Sequence, residues 1–452
     1  MIRALLTIGL WLLPALAAAQ GVFPHAPRED RLPNGLRVIS LRTDTPGIVA
    51  YDTLVGVGAR DEVEPGHSGY AHLFEHMMFR GTERFPQEAY EAAIQSFGAD
   101  NNAYTTQDYT LYHVTAPSSV LDRIVELEAD RFQHLSYTEE AYRTETGAVR
   151  GEYDKSATSP TRRMWEQLSE LAFTRHTYGH TTLGYLRDIE RMPEEVDYSR
   201  RFFERFYTPD NTTIIVAGDV DHDALMARVR EHYGPWRGRR ARSRVPTEPE
   251  PTEGGRRHID WPAPASPRMF VAWRTPAFVS GRTEAARRRA LRDTAALRVV
   301  HGLLFSESAP LHQRLVLEER SALSLSSWAG DQSVDPHLLV SSAVLAEGTE
   351  FDTVIDAIQS SVDALAAGEV DAARVDAVKS HVRYALSMSM QTPSSVADVA
   401  ARFVAVGGSL DALDGYLEAL AAVTPEDVAR VAGAYLNAER RFIVTLARGD
   451  GA

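Results

Sequence analysis

Thr212-Thr213-Ile214-Ile215-Val216-Ala217-Gly218-Asp219 follows a helical stretch at 198–206 and the turn-forming Thr208-Pro209-Asp210-Asn211. This closing unit decides the architecture, because it occurs twice. Helix, tyrosine and β-branched strand return near the C-terminus as Val428, Tyr435 and Phe442-Ile443-Val444-Thr445-Leu446-Ala447-Arg448-Gly449-Asp450. Tyr207 and Tyr435 stand 228 positions apart, and Asp219 and Asp450 stand 231 apart. A unit recurring at a nearly constant offset marks an internal repeat, here of two homologous α+β halves.

The rest of the chain fits around that pair. The first pass, from about residue 23 to 236, shows strand-like patterns at 35–41 and 48–57. Helical patterns follow at 71–79 and 86–97, then a strand at 104–114 and a helix at 118–134. Residues 237–257 are rich in Arg, Pro, Glu and Gly without apolar periodicity, which predicts an exposed linker. Glu248, Glu250 and Glu253 interrupt its arginines, so it is not a basic binding patch. The second pass repeats the order, with strands at 269–273, 323–328 and 337–345 and helices at 294–305 and 351–365. The expected division is a signal peptide over 1–19, an N-terminal half over 20–236, the linker 237–257 and a C-terminal half over 258–452.

Composition narrows the chemistry. The 452 residues carry 48 Lys+Arg against 62 Asp+Glu, a net charge of −14, which argues against a general nucleic-acid binder. There is no cysteine, which excludes disulfides, thiolate metal sites, Cys nucleophiles and Cys lipidation together. A metal site must therefore be built from His, Asp and Glu. At the N-terminus, Met1-Ile2-Arg3, an apolar run at 4–16 and Ala17-Ala18-Ala19 have the form of a signal peptide cleaved near Ala19. No later stretch approaches about 18 uninterrupted apolar residues. A soluble periplasmic or secreted protein is expected.

The chemistry-bearing residues lie in the first pass. In His72-Leu73-Phe74-Glu75-His76 the two imidazoles stand four apart, on one face of a helix, where both can reach one cation. Glu75 projects to the same side, placed to act on a water and not on the metal. Neutral imidazole suits Zn²⁺, and a catalytic zinc takes three protein ligands. Glu152 and Glu145 share a helical segment downstream, seven residues or about two turns apart. Such a pair can supply one ligand and one acceptor that orients a ligating His. Spacing alone does not select Glu152 over its neighbours. His176 and His180 are also four apart, but Thr177-Tyr178-Gly179 between them reads as a loop, not a ligand-bearing helix.

His-x-x-Glu-His is the inverzincin signature. Together with Gly56-Val57-Gly58-Ala59-Arg60-Asp61-Glu62 and Gly69-Tyr70-Ala71-His72-Leu73-Phe74-Glu75-His76-Met77-Met78-Phe79-Arg80-Gly81-Thr82 it resembles the core of the pitrilysin/insulinase family of zinc peptidases, which includes mitochondrial processing peptidase. The resemblance runs over nearly the whole mature chain. It implies an α+β fold of two homologous halves, each a mainly antiparallel sheet packed against helices, with zinc in the first half only. It implies one Zn²⁺ per chain held by His72, His76 and Glu152, with Glu75 as general base and Glu145 as the supporting acid. Asn101-Asn102-Ala103-Tyr104-Thr105 resembles the family's Asn-Ala-x-Thr strand, so Asn102, Ala103, Tyr104 and Thr105 would form an edge that pairs with an extended peptide.

One segment departs from the family. Active single-chain relatives carry a stretch like Arg-Glu-Glu-Arg-Gly-Leu-Ala-Tyr in the second half, whose first Arg and last Tyr contact the reacting peptide. The matching stretch here is Leu317-Glu318-Glu319-Arg320-Ser321-Ala322-Leu323-Ser324, with Leu317 for the Arg and Ser324 for the Tyr. Loss of one oxyanion donor commonly costs on the order of a hundredfold in rate. The resemblance offers a remedy, since some bacterial members divide the two motifs between paired subunits. The expectation is a zinc endopeptidase acting on peptides or unfolded segments, as the zinc-bearing subunit of a heterodimer whose partner supplies Arg and Tyr. The other reading is a non-catalytic structural or binding subunit, which the intact His72, Glu75, His76 and Glu152 disfavour.

Overall fold

The computed structural model describes residues 23, 25–279, 281 and 283–449. The expected signal peptide, 1–19, and Asp450 lie outside them. The first half forms a six-stranded sheet from β1 (Arg28–Arg31), β2 (Arg37–Arg42), β3 (Ile48–Val55), β4 (Asp100–Thr105), β5 (Thr110–Pro117) and β6 (Thr212–Gly218). Their order is β1-β2-β6-β3-β5-β4, with β2 and β6 parallel and the other neighbours antiparallel. The second half forms a five-stranded sheet from β7 (Gly255–Trp261), β8 (Arg268–Thr275), β9 (Ala322–Trp328), β10 (His337–Leu345) and β11 (Phe442–Arg448). Its order is β7-β11-β8-β10-β9, again with a single parallel pair, β7 and β11. Laid on one another, the two orders match β2 to β7, β6 to β11, β3 to β8, β5 to β10 and β4 to β9. The repeated closing strands are β6 and β11.

Helices cover both sheets. The first half contributes α1 (Tyr70–Met77), α2 (Gln87–Ser96), α3 (Leu121–His134), α4 (Glu139–Ala157), α5 (Pro160–Ala172), α6 (Leu186–Arg191), α7 (Val196–Phe206) and α8 (His222–Tyr233). The second contributes α9 (Glu284–Phe305), the single turn α10 (Pro310–His312), α11 (Phe351–Ala366), α12 (Ala372–Met388), α13 (Pro393–Gly407), α14 (Asp411–Ala421) and α15 (Pro425–Tyr435). Among the described residues no helix is long and apolar enough to cross a membrane.

The halves complete each other. Val49, Tyr51 and Val55 of β3 face a core shared with α1, α3, α7 and α8. Ala50 and Leu54, on the opposite face of the same strand, pack against Val396, Ala397, Ala400, Ala401 and Val404 of α13, which belongs to the other half. The exchange is reciprocal: Met164, Leu168 and Ala172 of α5 pack on Phe270, Ala272, Val340 and Val444 of the second sheet. Both helices start from firm caps. Ser159 and Thr392 accept backbone N–H groups at their N-termini, and Pro160 and Pro393 occupy the first turn, where no N–H is needed.

Three expectations change. The single strand at 104–114 is a hairpin, β4 and β5, because Thr106 Oγ1 accepts the N–H groups of Asp108 and Tyr109 and closes a tight turn between them. The expected linker is exposed or half-buried throughout but tied down, since the Glu248 carboxylate accepts backbone N–H groups from Thr174, Arg175 and His176, and strand β7 starts inside it at Gly255. Burial alone would raise the Glu248 pKa, but those N–H groups hold its carboxyl below the usual range. The helix expected from 294 begins at Glu284, capped by Thr283.

One polar group in the seam between the halves has no partner. Asp52 lies between Ala50 and Leu54 on β3, is 1% exposed, and neither carboxyl oxygen is hydrogen-bonded. Burial, reinforced by the charge of Asp398, pushes its carboxyl well above the usual range. The folded state therefore prefers the protonated acid. A raised pKa means that stability is fully present below the unfolded-state value and falls as pH rises from there toward the folded value, by about 1.4 kcal/mol per pH unit. Asp52→Asn is predicted to remove this slope: thermal unfolding followed from pH 4 to 8 should show the variant gaining on the wild type as pH rises. Parallel curves for the two proteins would contradict this assignment.

Candidate metal centre

The site begins with how α1 is held. Its apolar residues Tyr70, Leu73, Phe74 and Met77 enter the core, and the helical period turns His72, Glu75 and His76 to the other side. Gly69 starts the helix at φ 89°, in the left-handed region that glycine adopts without strain. The buried Glu62 caps this end, accepting the N–H groups of Gly69 (2.8 Å) and Ala71 (2.7 Å). Burial pushes the Glu62 carboxyl up to about 8, against those two hydrogen bonds.

Helix α4 brings the acids. Tyr142, Glu145, Thr146 and Val149 form its buried stripe, and Glu152 continues it one turn further, where it is exposed. His72 Nε2 lies 3.4 Å from Glu152 Oε2, and His76 Nε2 lies 3.5 Å from Glu152 Oε1. One ligand atom from each of the three residues lies within 4.8 Å of the others. His76 Nδ1, on the far side of the ring, meets Glu145 Oε2 at 3.2 Å, and Glu145 is also paired with Arg80. His72 Nδ1 is buried without a partner. Burial, with His76 and Arg162 nearby, pushes the His72 imidazole down to about 3, so it is neutral and can donate a lone pair.

Glu75 stands beside the cluster without entering it. Its Oε2 accepts the Thr105 hydroxyl at 2.7 Å. Burial raises the Glu75 carboxyl pKa, opposed by that hydrogen bond. Thr105 ends β4, the edge strand of the first sheet. Ala103 is buried beneath α1, and the Asn102 side chain accepts from the Ala103 N–H. Tyr104 turns to the opposite face and donates to Asp398 of α13. Of the four candidate strand residues, Thr105 is therefore the one whose side chain enters the cluster.

The donor set suits zinc: two neutral imidazole nitrogens and one carboxylate make three ligands and leave a fourth position open. His176 and His180 are not part of it. They flank a 3-10 turn, His176 against Asp335 and His180 against the Thr181 carbonyl. In the second half, Leu317 is 55% exposed and Ser324 is exposed on β9. Leu317 offers no donor and Ser324 only a short hydroxyl. Sequence reasoning gave no role to Arg80 or Glu62. Arg80 could have been found, since it stands four residues after His76 and thus on the same side of the chain.

Comparison with known proteins gives concordant matches. Residues 37–185 match the model described as insulinase (peptidase family M16), and residues 195–382 match the one described as peptidase M16 inactive domain. A zinc protease PqqE from Helicobacter pylori is 24% identical over 451 residues, covering 96% of each chain. The mitochondrial-processing peptidase subunit beta of Bos taurus is 33% identical over 226 residues, 48% of this chain and 45% of that one. The crystal structure of a protease from Helicobacter pylori matches with a TM-score of 0.84 at 24% identity, covering 93% of this chain and 99% of that one.

Removing the acid that orients His76 tests the outer part of the cluster. Glu145→Ala is predicted to weaken zinc binding by about 10- to 100-fold, measured by competitive titration of the purified chain. Unchanged affinity would mean that Glu145 serves Arg80 alone.

Proposed function

This chain belongs to the insulinase family of peptidases, M16, and on that premise we propose that it is a zinc-dependent endopeptidase. The observation that carries the reading is the convergence of His72, His76 and Glu152 within ligand distance of one another, with Glu75 beside them and held by Thr105. His72, His76 and Glu152 would hold one zinc ion per chain. Zinc, when bound, supplies Lewis acidity that activates water and polarises a scissile carbonyl.

The chain's own residues supply the rest. Glu75 accepts the proton of the attacking water and returns it to the leaving amine, a role favoured by a carboxyl whose pKa is raised by burial. The Thr105 hydroxyl fixes the carboxylate by occupying Oε2. Glu145 orients His76 and is balanced by Arg80. The open edge of β4, along Asn102, Ala103, Tyr104 and Thr105, binds an extended peptide by main-chain hydrogen bonds. A peptide laid there runs past the carboxylate of Glu75.

Leu317 and Ser324 leave the oxyanion without the expected donors, so the reading includes a related partner chain that supplies an Arg and a Tyr. The mature chain, from residue 20, is proposed to work in the periplasm or outside the cell. A non-catalytic subunit is the second reading, motivated by the same two positions.

Glu75→Gln is predicted to retain zinc while losing peptide cleavage by about a thousandfold, whereas His76→Ala loses the metal as well. Near-normal turnover by Glu75→Gln would remove Glu75 from the mechanism. Purified alone, the chain should cleave peptides at least on the order of a hundredfold more slowly than when mixed with its partner. Full chelator-sensitive activity of the lone chain would dispose of the partner.

A further inference from the structure

The turn 106–109, between β4 and β5, has a counterpart in the second half: residues 329–336, between β9 and β10. The two tips touch. The Asp108 side chain, 6% exposed, accepts the Val334 N–H at 3.1 Å and the Tyr178 hydroxyl. Next to Val334, Asp335 accepts from Arg60 Nε at 2.5 Å, lies 3.0 Å from His176 Nε2, and gives its own N–H to Tyr178 Oη at 3.3 Å. Arg60 closes the ring, with its side chain 4.0 Å from Asp108 and its N–H donating to the Gln107 carbonyl at 2.8 Å.

This ring is stiff on both sides. A Cβ on Gly58 would stand 2.6 Å from the Gln107 carbonyl, so the backbone at 58–60 lies directly on the turn. The facing loop is tied to its own half by the Phe278 N–H, which donates to the Ser333 carbonyl at 2.9 Å, and by Asp331 near Arg298 at 3.6 Å. Charge-assisted hydrogen bonds of this kind, partly shielded from water, are among the stronger polar contacts in a protein. The element they fix is the hairpin whose first strand ends in Thr105, and Thr105 holds Glu75.

We propose that Asp335, in the half without metal ligands, is a positioning residue for the site in the other half: through Arg60 and Asp108 it sets the edge strand β4 and the Thr105–Glu75 hydrogen bond. The inference rests on the peptidase reading for its catalytic consequence, but not for its structural one. A shift of about 1 Å in a positioning element can cost up to a hundredfold in rate.

The test is amide hydrogen exchange on the zinc-loaded chain, wild type against Asp335→Ala and the milder Asp335→Asn. Exchange across residues 100–109 should accelerate in both variants, more in Asp335→Ala, while bound zinc stays constant. Peptide cleavage, in the assembly where the wild type cleaves, should fall on the order of tenfold or more in Asp335→Ala. Combining it with Thr105→Val should give less than the product of the two single losses, because both act through one hydrogen bond. Unchanged exchange at 100–109 would overturn the hold of Asp335 on the hairpin, and faster exchange with unchanged cleavage, or independent losses in the double variant, would overturn its positioning role. If Asp335→Ala does not fold, Asp335→Asn carries the comparison. A wild type that cleaves no peptide in any assembly sinks the peptidase reading, and the exchange data then judge the hold of Asp335 on the hairpin alone.

Discussion

The central strands of each sheet in this protein are covered on both faces, and one of those covers comes from the other half. One face of the first sheet is closed by α13 and one face of the second by α5, so each half lends the other a helix. Burial of each Val or Leu side chain contributes about 1.5–3 kcal/mol, and the residues concerned are central: Leu54 and Ile215 on one side, Leu338 and Val444 on the other. A half expressed alone would present an open apolar sheet face to water. The two halves are thus one cooperative structure, and any property of the site in the first half is conditioned by the second.

That exchange explains what could be inferred from sequence and what could not. Strands such as β3 and β10 are marked by runs of apolar residues, and their places and lengths follow from local pattern. Helix α1 and its His-x-x-Glu-His spacing are equally local, which is why His72, Glu75 and His76 were legible as a cluster. Glu152 was legible only with a resemblance to guide it, because a helical period admits several acids on α4. The turn at Asp108 was missed although Thr106-Gln107-Asp108 carried a local turn signal, because the Tyr and Thr residues on either side fit a strand. The docking of Glu248 and the ring around Asp335 join residues far apart in the chain. Such pairings leave no periodic trace.

The same contacts bear on what the second half does for the His72, His76 and Glu152 cluster. Helix α4 brings Glu152 to the histidines and runs almost directly into α5, which is seated on the second sheet. Strand β4 brings Thr105 to Glu75, and its neighbour Tyr104 is bonded to Asp398 of α13. Two of the site's components are therefore anchored through the second half by packing and by hydrogen bonds. Leu317 and Ser324 differ in kind. Both are exposed, Leu317 at 55%, so a change at either disturbs no core. Surface substitutions of that sort usually shift stability by no more than about 0.5 kcal/mol. Exposed positions such as these can change without touching the fold, whereas α5, α13 and the loop at Asp335 cannot, because the half that carries the His72, His76 and Glu152 cluster is packed or bonded to them.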